Sequence, residues 1–76
     1  MSLHEILKRD VKKMISGIGR NQKGNIYPLI THELEKSLIE IVLEDANYNL
    51  VLTARILGIG RSTLYRKISK FKIEMR

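Results

Sequence analysis

Cysteine and tryptophan are absent from these 76 residues, and proline and phenylalanine occur once each. Without cysteine there is neither a disulfide framework nor a thiolate zinc site. One Phe and three Tyr are too few for the aromatic platforms on which single-stranded nucleic acid stacks. No apolar run approaches the roughly 20 residues of a membrane span, and the N-terminus lacks the apolar core of a secretion signal. A soluble, cytoplasmic protein is therefore expected, with no membrane partner. The lone Pro28 and the scarcity of strand-like alternation favour an all-α chain forming one small domain over residues 1–76. A chain of this length buries only about 60% of its unfolded surface, so self-association is a natural support for its core.

What the sequence does hold is cationic charge, unevenly placed. From Asn49 to Arg76 there are seven bases (Arg55, Arg61, Arg66, Lys67, Lys70, Lys72 and Arg76) against the single acid Glu74, which accounts for the whole net charge of +6. The preceding residues balance, with seven charges of each sign. Charge gathered on one short segment points to phosphate as its partner.

Four helices are expected. The first spans about Leu3 to Ser16, with Ser2 as N-cap and Glu5 at capping-box spacing. Leu7, Val11 and Met14 lie on its apolar stripe. Gly17 is the expected stop, with Lys12 and Lys13 near the C-terminal end, and residues 17–25 (GIGRNQKGN) read as a loop. The second helix runs from about Pro28, whose missing N–H suits a first turn, to Asp45. Ile30, Leu34, Leu38 and Ile41 form its stripe, widened by Ile39, Val42, Leu43 and Ala46. A band that wide implies two surfaces: one for a partner chain or the first helix, one for the C-terminal segment. This helix carries Glu33, Glu35, Glu40, Glu44 and Asp45 against Lys36, so it should not face DNA, and its acids read as solvated surface.

The third helix, about Leu50 to Leu57, has Asn49 as N-cap and Gly58 as stop. The fourth runs from near Arg61 to about Phe71, with Gly60 as N-cap. Leu64, Ile68 and Phe71 form its inner face; Arg61, Ser62, Tyr65, Arg66 and Ser69 lie opposite. This meets the needs of a helix-turn-helix: small Ala54 where two helices cross, Gly58 at the sharp turn, apolar Ile59 after it, and a second helix whose first residues reach base edges. Arg61 is placed for a bidentate contact to guanine O6 and N7. Ser62, Thr63, Arg66, Lys67 and Lys70 are candidate contacts to phosphates or flanking bases, and Tyr65 suits a thymine methyl or a phosphate. An ordinary helical hairpin with a solvated basic face is the blander explanation; the coincidence of turn chemistry with charge asymmetry weighs against it.

Other signals carry little. His4 and His32 have no partner at metal spacing, and His32-Glu33 lacks the second His of a zinc-hydrolase motif. Neither Gly58-x-Gly60 nor Gly17-x-Gly19 completes a nucleotide-binding loop. No nucleophile, base and orienter assemble, so no enzyme, cofactor, metal or small-molecule substrate is expected.

The segment ELEKSLIEIVLEDANYNLVLTARILGIGRSTLYRKISKFKIE resembles the C-terminal DNA-binding domain of NtrC-type bacterial enhancer-binding activators, which share the Fis-type helix-turn-helix. The resemblance rests on Asn49, Ala54, Leu57-Gly58-Ile59, Arg61, Thr63-Leu64, Arg66-Lys67 and Ile73, and it covers about Asn25 to Ile73. It implies that residues 1–46 pair with a second chain through Leu7, Val11, Met14, Ile30, Leu34, Leu38 and Ile41, while residues 47–76 form the helix-turn-helix. Two recognition helices would then enter successive major grooves of an inverted repeat. Arg61, Thr63, Tyr65 and Arg66 fall at DNA-contact positions of that family, and Asn49 at one that caps a helix beside phosphate. Full-length activators add AAA+ and receiver or sensor modules and act on σ54 RNA polymerase. Gly60 before Arg61 leans towards these activators.

Several positions depart from that pattern. Tyr48 stands in place of Gly, Thr53 replaces an Ala, and Val51 and Leu52 occupy positions that are often polar or basic. Lys72 replaces a Gly of positive φ, so the last turn is expected to end differently. Two alternatives stand beside the activator reading: a Fis-like, nucleoid-associated protein that bends DNA, and a helical dimerisation module with an incidentally basic end.

Overall fold

The computed structural model describes residues 2–18 and 26–76. They form α1 (Leu3–Ile18), α2 (Ile26–Asp45), α3 (Leu50–Leu57) and α4 (Arg61–Lys70). No strand occurs among the described residues. The chain divides into two compact units, one ending at Thr31 and the other spanning His32–Arg76. The division falls inside α2, so residues 32–45 of that helix belong with the helix-turn-helix.

In the first unit, the Ser2 hydroxyl accepts the Glu5 N–H at 3.2 Å, the N-cap contact expected from the sequence. Leu7, Val11, Met14 and Ile15 are half-buried, at the spacing of one helical stripe. The helix does not stop at Gly17. It continues to Ile18, which leaves Lys12 and Lys13 before its last turn. A glycine inside a helix costs only about 1 kcal/mol, too little to end one by itself. The rest of the expected loop, residues 19–25, lies outside the described residues. Helix α2 begins at Ile26, two residues before Pro28. Pro28 still lies in the first turn, where backbone N–H groups have no intrahelical partner.

The second unit owns the core. Ile39 and Leu43 of α2, Ala54 of α3, Leu64 of α4, and Phe71 and Ile73 beyond it are buried together. Tyr48, Leu50, Leu57, Ile59 and Ile68 close around them. The expected inner face of α4 is thus the real one. Thr53 is fully buried, and its hydroxyl donates to the Asn49 carbonyl at 2.8 Å. A Thr is tolerated in place of Ala because that bond satisfies its polar atom.

One device folds this unit three times. After α3, Gly58 takes φ +73°; its N–H donates to the Arg55 carbonyl at 3.2 Å, and the Ile59 N–H to the Ala54 carbonyl at 3.0 Å. That pair of bonds is the Schellman arrangement, which caps the last helical carbonyls. After α2, Asn47 (φ +53°) and Tyr48 repeat it onto the carbonyls of Glu44 (3.1 Å) and Leu43 (2.7 Å). After α4, Lys72 (φ +53°) and Ile73 repeat it onto those of Ser69 (3.3 Å) and Ile68 (3.0 Å). The last turn therefore keeps the positive-φ geometry, contrary to expectation, with Lys in place of Gly. In each turn the residue after the left-handed one (Tyr48, Ile59, Ile73) packs on the core. Burial of that residue holds the backbone in a conformation an L side chain disfavours. Tyr48 is itself left-handed, at φ +62°.

These turns separate backbone cost from packing cost. A Cβ built at Gly58 meets nothing within 4 Å, so Gly58→Ala should cost about 1 kcal/mol from φ alone. Lys72 is exposed, and Lys72→Gly should gain up to about 1 kcal/mol. Urea midpoints at constant m-value test both. Equal midpoints for wild type and Lys72→Gly would show that the left-handed turn after α4 carries no strain.

Candidate nucleic-acid interface

Helix α4 is 10 residues long, about 15 Å at 1.5 Å per residue, which suits a major groove roughly 12 Å wide. Leu64 is fully buried and Ile68 half-buried on one side. That burial fixes the helix's rotation. It leaves Arg61, Ser62, Tyr65 and Arg66 exposed, so four of the expected contact residues share one outward face.

Thr63, Arg66, Lys67 and Lys70 line a shallow concavity on the flank of the same helix. The Arg66 guanidinium donates to the Thr63 hydroxyl at 3.4 Å, which steadies it beside that concavity. The Lys70 ammonium sits 5.4 Å from the centre of the Phe71 ring, within cation–π range. The same ring makes an edge-to-face contact with exposed His32, their centroids 4.7 Å apart.

Electrostatics single this helix out. Arg61, Arg66, Lys67 and Lys70 face no acid within α4, and its first turn holds none. Gly60 caps it without a side-chain hydrogen bond. The positive end of the helix dipole thus meets Arg61, an arrangement that opposes folding and favours a bound anion. Departures from local rules are expected at functional or strained positions.

The third helix contributes differently. The Asn49 side chain accepts the Leu52 N–H at 3.1 Å, so the residue works as a helix cap. Val51 and Leu52 are 47% and 37% exposed, which puts an apolar surface at the start of α3; Arg55 is the helix's single base.

Lys67 departs from the simple picture. Its ammonium donates to the Glu35 carboxylate on α2. Glu35 is therefore not plain solvated surface. Thirty-two residues separate the two, so no local periodicity reports the pair. Of the residues expected to mediate dimerisation, Leu34, Leu38 and Ile41 are exposed. Leu7, Val11, Met14 and Ile30 are half-buried.

A family model described as "Bacterial regulatory protein, Fis family" matches residues 32–71. That is more than half of the chain, and it starts where the second compact unit starts. The chain belongs to the Fis family. It is 32% identical over 71 residues to proteins named DNA-binding protein Fis from Buchnera aphidicola subsp. Acyrthosiphon pisum, strains 5A and APS. Each match covers 93% of this chain and 72% of the relative. The Fis of subsp. Schizaphis graminum, strain Sg, is 30% identical over 70 residues, covering 91% of this chain and 71% of the relative. No solved structure gives a significant match. Within the Fis family, matches of this length reach beyond the helix-turn-helix into the first unit, and the relatives' names fit the Fis-like alternative better than an activator's DNA anchor.

The cap has a clean test. Asn49→Ala should cost about 0.5–2 kcal/mol in denaturant unfolding, and Asn49→Asp should restore most of it. Unchanged stability in the Ala variant would show that the Leu52 N–H finds another partner.

Proposed function

We infer that the protein is a Fis-like DNA-binding protein of the bacterial nucleoid, acting as a homodimer on double-stranded DNA without catalysis. The observation that carries this reading is the rotation of α4: burial of Leu64 turns Arg61, Ser62, Tyr65 and Arg66 outward on a helix with no acid. Arg61, at the helix start, reads base edges; Thr63, Tyr65, Arg66, Lys67 and Lys70 hold phosphates or flanking bases; Asn49 fixes the helix that crosses the backbone.

A second copy of the chain completes the protein. Leu34, Leu38 and Ile41 are 43%, 50% and 63% exposed and lie at i, i+4 and i+7 on α2. In the first unit, Leu7, Val11, Met14 and Ile30 are the apolar residues available for pairing. A monomer of 76 residues leaves this strip in water, and pairing removes it. Two recognition helices on one dimer then address major grooves about one turn, roughly 34 Å, apart.

Affinity rests on phosphate neutralisation. With about 6–10 phosphate contacts per dimer, binding should weaken roughly 10³–10⁵-fold between about 50 and 200 mM salt. Arg61→Ala should cost about 1–3 kcal/mol and relax one base position. Titration of one inverted repeat and one random duplex, with end-labelled fluorophores to report bending, tests both statements. Wild-type binding by Arg61→Ala to both duplexes would remove that residue from recognition. Absence of binding at low salt would leave a helical interaction module instead.

One observation favours a second reading. Gly60 before Arg61 leans towards the DNA anchor of an NtrC-type activator, which works with AAA+ and receiver or sensor modules and σ54 RNA polymerase. A large ratio of specific to random affinity without bending supports that reading; a small ratio with bending supports the Fis-like one.

A further inference from the structure

Lys67 borders two environments. It lines the concavity shared with Thr63, Arg66 and Lys70, where a phosphate finds three cations and a hydroxyl. Its ammonium nevertheless donates to Glu35 of α2. With the lysine side chain 29% exposed and the carboxylate 38% exposed, neither group is locked away from water. Pairs of this kind contribute little to folding, so this one is readily exchanged for another anion. Among the described residues, Glu35 is the acid on α2 that forms an ion pair with the recognition helix.

We propose that Glu35 is an internal competitor for DNA phosphate. In the free protein it occupies Lys67; on DNA, a backbone phosphate takes the ammonium and Glu35 is released to solvent. The exchange lowers affinity for every duplex alike, because phosphate contacts carry no sequence information. It restrains indiscriminate binding by a strongly basic helix while leaving base readout by Arg61 untouched. The inference rests on the DNA-binding reading and adds to it a residue that sets backbone affinity from outside the DNA-contacting surface.

The test is equilibrium binding of the full chain to one inverted repeat and one random duplex at fixed salt. Wild type is compared with Glu35→Gln, Lys67→Gln, the double variant and Glu33→Gln. Glu33 is an exposed acid two residues away on α2 and controls for removing one negative charge. Helical circular dichroism confirms that each variant folds. Glu35→Gln should tighten both duplexes, on the order of 3- to 10-fold beyond Glu33→Gln, with the specific-to-random ratio unchanged. Lys67→Gln should weaken both. In the Lys67→Gln background, Glu35→Gln should add nothing beyond Glu33→Gln.

Weaker binding by Glu35→Gln would make the pair a tether that holds α4 on α2, and would overturn the proposal. So would a gain no larger than that of Glu33→Gln, or one that survives without Lys67. Failure of the DNA-binding reading looks different: wild type itself then shifts no duplex at low salt, whatever the variants do.

Discussion

The left-handed turn at Gly58 is the constraint on which the second unit depends. It closes the last carbonyls of α3 through the Gly58 and Ile59 N–H groups and sends Ile59 onto the core. From there α4 can start only in an orientation that buries Leu64 and exposes Arg61. A different φ at residue 58 would re-aim the helix and move its cations off the shared face. The same bonding recurs at Asn47-Tyr48 and Lys72-Ile73. The chain therefore reverses three times by one mechanism, and each reversal is held by an apolar residue drawn into one cluster. Only one of the three has glycine, so the other two spend packing energy to hold strained backbone.

That core is small, and the surface around it is divided by function. Buried residues from α2, α3 and α4 fix the angles between helices, while the exposed part of α4 carries Arg61, Arg66 and Lys70, with half-buried Lys67 on its flank and no acid in the helix. Such a face destabilises the isolated protein by mutual repulsion and by the helix dipole. Anionic duplex DNA relieves both. Glu35, reaching from the acidic helix α2, relieves part of the repulsion in the free state. Folding and binding thus draw on the same charges, and α2 serves as both core element and counterweight.

What the sequence revealed follows the range of each interaction. Asn49 as a cap, Gly58 as a stop, and Leu64, Ile68 and Phe71 as one buried face were all legible, because caps and helical periodicity act over three or four residues. The end of α1 was not, since Gly17 weakens a helix without stopping it. The turn at Lys72 looked foreign because its side chain disfavours positive φ; burial of Ile73 decides that geometry, and burial is a property of the folded unit. The Glu35–Lys67 pair bridges 32 residues, beyond any local pattern. At the family level the helix-turn-helix residues announced Fis-type DNA binding, but they are shared by activators and Fis-like proteins alike. The extent of the match with named Fis proteins, reaching beyond those residues, is what favours the latter.

The central claim is that the Arg61 end of α4 enters the major groove. Methylation interference at guanine N7 on a bound duplex tests it most directly, because N7 lies in that groove alone. The account predicts interference in two patches about one helical turn apart, both weakened in Arg61→Ala because each copy of the dimer carries the substitution. Binding indifferent to N7 methylation throughout, yet abolished by phosphate ethylation, would contradict it and reduce the protein to a backbone binder.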